Sequence, residues 1–155
     1  MQVRRFKAGE EDVLRRICWD TTLKINIHEY GAELVQKWVA RLKDKSRWEK
    51  RIYRKNPFVA EQNETVIGFA ELTKTGKIRA FYSHYDWQGK GVGKALYEAI
   101  ETEASRLEMD SIQVESSSSA SSFFTRKGFY VVREKLNLTD GIPSKSLLMQ
   151  KRLVN

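Results

Sequence analysis

The stretch "DWQGKGVGKALYEAIETEA", residues 86–104, constrains the fold of this chain more than any other. Gly89, Gly91 and Gly93 alternate with larger residues, and an amphipathic run begins at once. A glycine inside a helix costs about 1 kcal/mol relative to alanine, so the spacing predicts a tight turn followed by a helix. Val92, Leu96, Ala99, Ile100, Ala104 and Leu107 share one face of that helix, whereas Lys94, Glu98, Glu101 and Arg106 point elsewhere. Such a helix packs on a sheet with its other side in water. Its first N–H groups have no partner within the helix, and the helix dipole places partial positive charge there. Glycines leave that end open to an anion, and Lys90 and Lys94 add charge beside it.

Two familiar phosphate motifs fail on particular residues. A P-loop needs Ser or Thr after its Gly-Lys pair to reach magnesium, and Ala95 follows Gly93 and Lys94 here. A dinucleotide fingerprint begun at Gly89 and Gly91 would end on Lys94 instead of glycine. That fingerprint also belongs to a parallel β-α-β unit, and the segments before the turn read differently. "PFVAE" and "TVIGFAEL" are β-rich runs joined by "QNE", and "KIRAFYS" follows as a third strand. Residues 57–83 therefore read as an antiparallel meander.

The flanking segments complete an α+β pattern. "VRRF" opens the chain as a short strand, and Val13, Leu14, Ile17 and Cys18 then recur at helical spacing. Leu34, Val35, Trp38, Val39 and Leu42 mark a second helix, which the basic segment continues as far as Asn56 and Pro57. Downstream come the strand "SIQVE", a short helix in "SSASSFFTRKGF" ending at Gly128, the strand "YVVREKL", the turn "TDGIPS" and a last strand "SKSLLMQKRL". A single domain over residues 1–155 is expected, with a mostly antiparallel sheet and helices on both faces.

Composition narrows the class of function. One cysteine, Cys18, rules out an intrachain disulfide and reads as a buried structural thiol. No apolar run is long enough to span a bilayer, and "MQVRRFKAGEEDV" lacks the apolar core of a secretory signal. A cytoplasmic location without membrane partners is expected. The formal charge is +8, and residues 41–55 carry eight basic residues against two acidic ones. That run is either a solvated helix face or a field drawing in an anionic ligand, cofactor or nucleic acid. No nucleic-acid motif accompanies it, so no nucleic-acid partner is expected, and no metal site either.

The pattern Gln-x-x-Gly-x-Gly, supplied by Gln88, Gly91 and Gly93, closely resembles the acetyl-CoA motif of the GCN5-related N-acetyltransferases (GNAT). The resemblance covers nearly the whole chain. "FVAEQNETVIGFAEL" is similar to the family's central hairpin, "ASSFFTRKGF" to its late helix with the Gly-Phe ending, and "LLMQKRL" to its closing strand. The Phe-Phe pair and the Tyr30–Trp38 region further resemble a bacterial subgroup. The resemblance implies a GNAT fold: about six to seven mixed strands, with a splayed central pair. It implies acetyl-CoA as cofactor, a small-molecule or peptide amine as acceptor, and a possible homodimer. Gln88 and the turn Gly89, Lys90, Gly91, Val92, Gly93 and Lys94 would hold the cofactor's diphosphate. Phe81, Tyr82 and Ser83 would line its pantetheine arm, with Ser117 and Phe124 alongside. The backbone N–H near Ser83 would polarise the thioester carbonyl.

Departures from the family leave the proton chemistry open. Phe124 stands where the family often has a tyrosine that protonates the leaving thiolate, while Lys77 and Gln113 stand at two usual positions of the base. Glu71 and Glu115 remain as candidate bases, each also readable as a strand-end carboxylate. His28 and Tyr30 are candidates for acceptor contact. A second reading is a catalytically weak protein that binds CoA or acetyl-CoA as a sensor.

Overall fold

Asn63 and Glu64 have φ of 51° and 64°, the backbone of a two-residue turn suited to the right-handed twist of a hairpin. In the computed structural model, which describes residues 1–153, this turn joins β2 (Phe58–Gln62) to β3 (Thr65–Leu72). A second such turn at Asp140 and Gly141 joins β6 (Tyr130–Thr139) to β7 (Ile142–Arg152). The last two strands thus run right up to the turn and are longer than the sequence predicts. With β1 (Gln2–Arg5), β4 (Lys77–Ser83) and β5 (Ser111–Ser116), they form one sheet in the order β1-β2-β3-β4-β5-β7-β6. All neighbours are antiparallel except β4 and β5, which run parallel.

Helix α5 (Val92–Arg106) lies on one face. Leu96, Ile100 and Ala104 pack there on Ile78, Ile112, Val114 and Met149, with α6 (Ser121–Arg126) extending the layer. Two details differ from the periodicity. Leu107 is exposed at the helix end, and Tyr97 is buried instead, edge-on to Phe123 and Phe129. The other face carries α1 (Glu11–Thr21) and α4 (Lys45–Lys55), whose Leu14, Ile17, Trp48 and Ile52 cover Val59 and Phe69. Cys18 is buried in that layer, and burial pushes its thiol above the ordinary value.

The long second helix of the sequence reading is two helices. α3 (Ala32–Arg41) ends, the chain turns, and Asp44 caps α4 by accepting from the Arg47 N–H at 3.1 Å. Between α1 and α2 (Ile27–Tyr30) a π-helical turn, Thr22–Asn26, widens the backbone. Such turns are rare and recur at functional sites.

Candidate active site

β4 and β5 pair only at Lys77↔Gln113 and Ile78↔Val114. Beyond those pairs the strands diverge, and the gap is a cleft of about 1110 Å³. A bulge in β4 prepares this divergence. Phe69 faces Tyr82 and Glu71 faces Arg79, so Ala80 and Phe81 together oppose Ala70. Ala80 takes the left-handed φ of 50° that the extra residue demands. The bulge shifts the side-chain alternation: Ile78 and Phe81 face α5, whereas Arg79 and Tyr82 face the other way, with Glu71 and Phe69.

After β4 the chain makes a short 3₁₀ turn (Tyr85–Trp87) and enters the glycine stretch. His84 accepts the Asp86 N–H on Nδ1 at 3.1 Å and so caps this turn. Gln88 donates from Nε2 to the Ser83 carbonyl at 2.8 Å, and Thr21 donates to the same oxygen at 3.0 Å. The end of β4 is thereby pinned from two sides. Gly89 and Gly91 hold φ of 72° and 87°, and no atom lies within 4 Å of where a Cβ on either would stand. The first α5 bond runs from the Ala95 N–H to the Gly91 carbonyl at 3.1 Å, so the amides of Val92, Gly93 and Lys94 have no helical acceptor. Open space before free amides at a dipole's positive end suits an anion such as a diphosphate.

Most of the expected cofactor residues meet at this cleft: Phe81, Tyr82, Ser83, Gln88, Gly89, Gly91, Val92, Gly93, Lys94, Ser117 and Phe124 all line it. Lys90 does not, and its ammonium lies 5.3 Å from the Trp87 ring centre instead. Phe81, Phe123 and Phe124 form an apolar cluster at the wall, with Phe124 5.6 Å from Phe81 between ring centres. The Ser83 hydroxyl is buried without a hydrogen-bond partner among the described residues.

The proton-transfer candidates separate. Glu115 lines the cleft, accepts from Lys135 and receives a longer bond of 3.4 Å from Ser146. Glu71 does not line it. That carboxylate is 1% exposed beneath α4, where Oε2 meets Arg51 Nη2 at 3.2 Å and Oε1 has no partner among the described residues. Tyr30 lines the cleft, stacked edge-on against Trp38 at 4.9 Å. Burial raises its phenol above the ordinary value, and the nearby Glu29 carboxylate adds to the shift. His28 is exposed on α2 and does not reach the cleft.

Several cleft residues were not singled out from the sequence. Asn26 arrives by the π turn, which hydrophobic periodicity does not signal. Arg51 was one cation in a basic run, but it lies three residues after the buried Trp48 and so beside the buried stripe of α4. That neighbourhood was the available clue. Arg79 and Arg133 reach the cleft through strand bulges, between Phe69 and Glu71 on β3's ladder and between Val131 and Arg133 on β6's, and sequence alternation cannot locate these.

A parallel pair that splays beside a glycine-headed helix with free amides leaves a cleft with room and donors for an extended, anion-bearing ligand. Residues 26–152 match the acetyltransferase (GNAT) domain family, and the chain belongs to it. No curated protein matches the sequence. Among solved structures, a GCN5-related N-acetyltransferase of Rhodopseudomonas palustris superposes with a TM-score of 0.92 at 22% identity, covering 98% of this chain and 95% of that one. The PaiA N-acetyltransferase of Thermoplasma acidophilum, solved with coenzyme A, gives 0.77 at 19% identity over 98% of both chains. YncA of Salmonella typhimurium, solved with its cofactor acetyl-CoA, gives 0.73 at 18% identity over 100% of this chain and 95% of that one. These likenesses establish the fold. No helix among the described residues is long and apolar enough to cross a membrane.

Proposed function

We propose that the protein is an acetyl-CoA-dependent N-acetyltransferase acting on a primary amine. The observation that carries this reading is the β4–β5 gap: two paired residues, then a cleft walled on one side by the glycine turn. The free amides of Val92, Gly93 and Lys94 would hold the diphosphate of the cofactor, and Phe81, Phe123 and Phe124 would pack along its pantetheine arm. When bound, acetyl-CoA supplies an acyl carbon activated as a thioester.

The chain's own groups must then deliver a neutral amine. An alkylammonium has a pKa of about 10.4, so only about one molecule in a thousand is neutral at pH 7. Glu115 is the carboxylate among the residues lining the cleft, and it takes the proton directly or through water. Attack of that amine nitrogen on the bound thioester's acyl carbon would release the thiol as thiolate, and the nitrogen's second proton would pass to solvent, because Glu115 already holds the first. Its conjugate thiol has a pKa near the cysteine value of about 8.5, so the thiolate would depart without a proton donor, and Phe124 in the tyrosine's place is tolerable. The backbone N–H near Ser83, a residue held through its carbonyl by Thr21 and Gln88, would stabilise the negative charge that grows on the thioester oxygen.

The test is release of free thiol from acetyl-CoA with an amine panel, products read by mass spectrometry. Turnover is expected, and Glu115→Gln should lower kcat by about a hundredfold while leaving the KM for acetyl-CoA unchanged. Tight CoA binding without turnover on any amine would replace this reading with the sensor.

A further inference from the structure

The acceptor side of the cleft is cationic, which is unexpected for an enzyme whose acceptor is itself a cation in water. Arg51, Lys77, Arg79, Arg133 and Lys135 line it from α4, β4 and β6. Glu71 offsets Arg51, and Glu115 offsets Lys135. Lys77, Arg79 and Arg133 have no ion pair among the described residues. Cross-strand pairing explains the convergence. Arg79 stands opposite Glu71 in the β3–β4 ladder, and Arg133 and Glu115 both stand opposite Leu148. Arg79 therefore approaches the gap from its β4 wall, and Arg133 from beyond β5, across β7.

We infer that the acceptor is a small amine carrying its own anionic oxygen group, a carboxylate or a phosphate, held by Arg51, Arg79 and Arg133. This rests on the transferase reading above. Arg51 is suited to the task because Glu71 uses only its Nη2, leaving its other guanidinium donors free on a side chain that is 40% exposed. The buried Glu71 fixes where that guanidinium sits and acts as a positioning residue. Planar forked donors match carboxylate and phosphate oxygens better than an ammonium does. Clefts with low-dielectric walls also concentrate such fields.

The same charges assist the chemistry. Cations around a bound ammonium disfavour its charged form, so more of the acceptor is the neutral nucleophile. A polyamine, with no anion to offset the field, is repelled. Two contacts made by residues that line the cleft tie its surrounding elements together and favour a small acceptor over a long chain. Trp38 Nε1 donates to Thr139 Oγ1 at 3.4 Å, tying α3 to the β6–β7 hairpin, and Ser119 donates to Glu29 at 2.7 Å, tying α2 to the loop before α6.

The experiment uses matched acceptors with saturating acetyl-CoA: a panel of amino acids against their amides, phosphoethanolamine against ethanolamine, spermidine, and a tripeptide amide without acidic side chains. In at least one pair the anionic member should have a kcat/KM at least tenfold higher, and which pair responds tells carboxylate from phosphate. Arg79→Gln and Arg133→Gln should erase that preference by raising the acceptor KM, with the acetyl-CoA KM constant within twofold. Equal use of neutral amines, better use of spermidine or the tripeptide, or a rise confined to the acetyl-CoA KM would overturn the inference. If no amine turns over, the transferase reading fails separately. Calorimetric binding of N-acetylglycine and N-acetylphosphoethanolamine against N-acetylglycinamide to the CoA-loaded protein then decides the anion site: preference for either anion supports it, and equal affinity refutes it.

Discussion

On the α5 face of the sheet, Ile78, Val114 and Met149 lie buried beneath Leu96 and Ile100. One residue along the same strands, the opposite face carries Lys77, Arg79, Gln113, Glu115 and Gln150. The first face is dry and closely packed. Gly68 there leaves no room even for a methyl group, since a Cβ would come within 2.7 Å of Val92 Cγ1 and 2.8 Å of the Tyr82 carbonyl. The second face is polar, and its arginines are incompletely paired. Arg4, at the far edge of the sheet, shows what a completed pairing looks like: its guanidinium binds Glu10 at 2.7 Å and Glu61 at 3.0 Å. Arg51 makes one contact of 3.2 Å. The difference separates charge that is paired within the fold from charge that is incompletely paired among the described residues.

The largest effect expected from breaking this division is on the packed side, at the glycine turn. Gly91→Glu forces a side chain into φ of 87° and puts a carboxylate before the free amides. The left-handed backbone alone costs about 1–2 kcal/mol. With charge repulsion added, CoA affinity measured calorimetrically should fall by about a hundredfold or more. An unchanged affinity would move the anion site away from the turn.

Gly68→Ala probes the same face by packing alone. Overpacking against the Tyr82 carbonyl should destabilise the fold by about 1–3 kcal/mol, read as a lower Tm. A neutral result would show that α5 and the sheet can separate without penalty, contrary to the comparison.

The smallest effect sharpens the contrast between paired and unpaired arginines. The hydrogen bonds from Arg4, then the Lys7 amide, hold the Glu10 carboxyl below its ordinary pKa, against the opposing effect of burial. A folded pKa below the unfolded one means stability that is full above about pH 4.5 and is lost as pH falls through the lower folded value. Glu10→Ala should therefore lower Tm at pH 7 by a few degrees. That gap should narrow in more acidic buffer, and a gap independent of pH would remove the ion pair as its cause.

The legible part of this molecule was local. Residues 57–83 read correctly as a meander because Asn63 and Glu64 interrupt alternating β-rich runs, and the glycine turn announced α5 through spacing alone. The single long helix expected from Gly31 as far as Asn56 was misread because its apolar stripe continues across the break, where only Asp44 marks a new cap. Glu71 read as a strand-end carboxylate beside the gap, yet α4 covers it. Its burial depends on a helix distant in the sequence.

Turn chemistry, helix periodicity and unpaired amides at a helix start are properties of neighbouring residues, so the sequence by itself determined most of the elements and the glycine turn that opens α5. The β4 bulge at Ala80, the divergence of β4 from β5, and the meeting of Arg51, Arg79 and Arg133 around the resulting gap arise between segments far apart in the chain. Strand register and packing set those positions. A one-residue bulge reverses which side chains face the cleft, and only the folded sheet decides where the bulge falls.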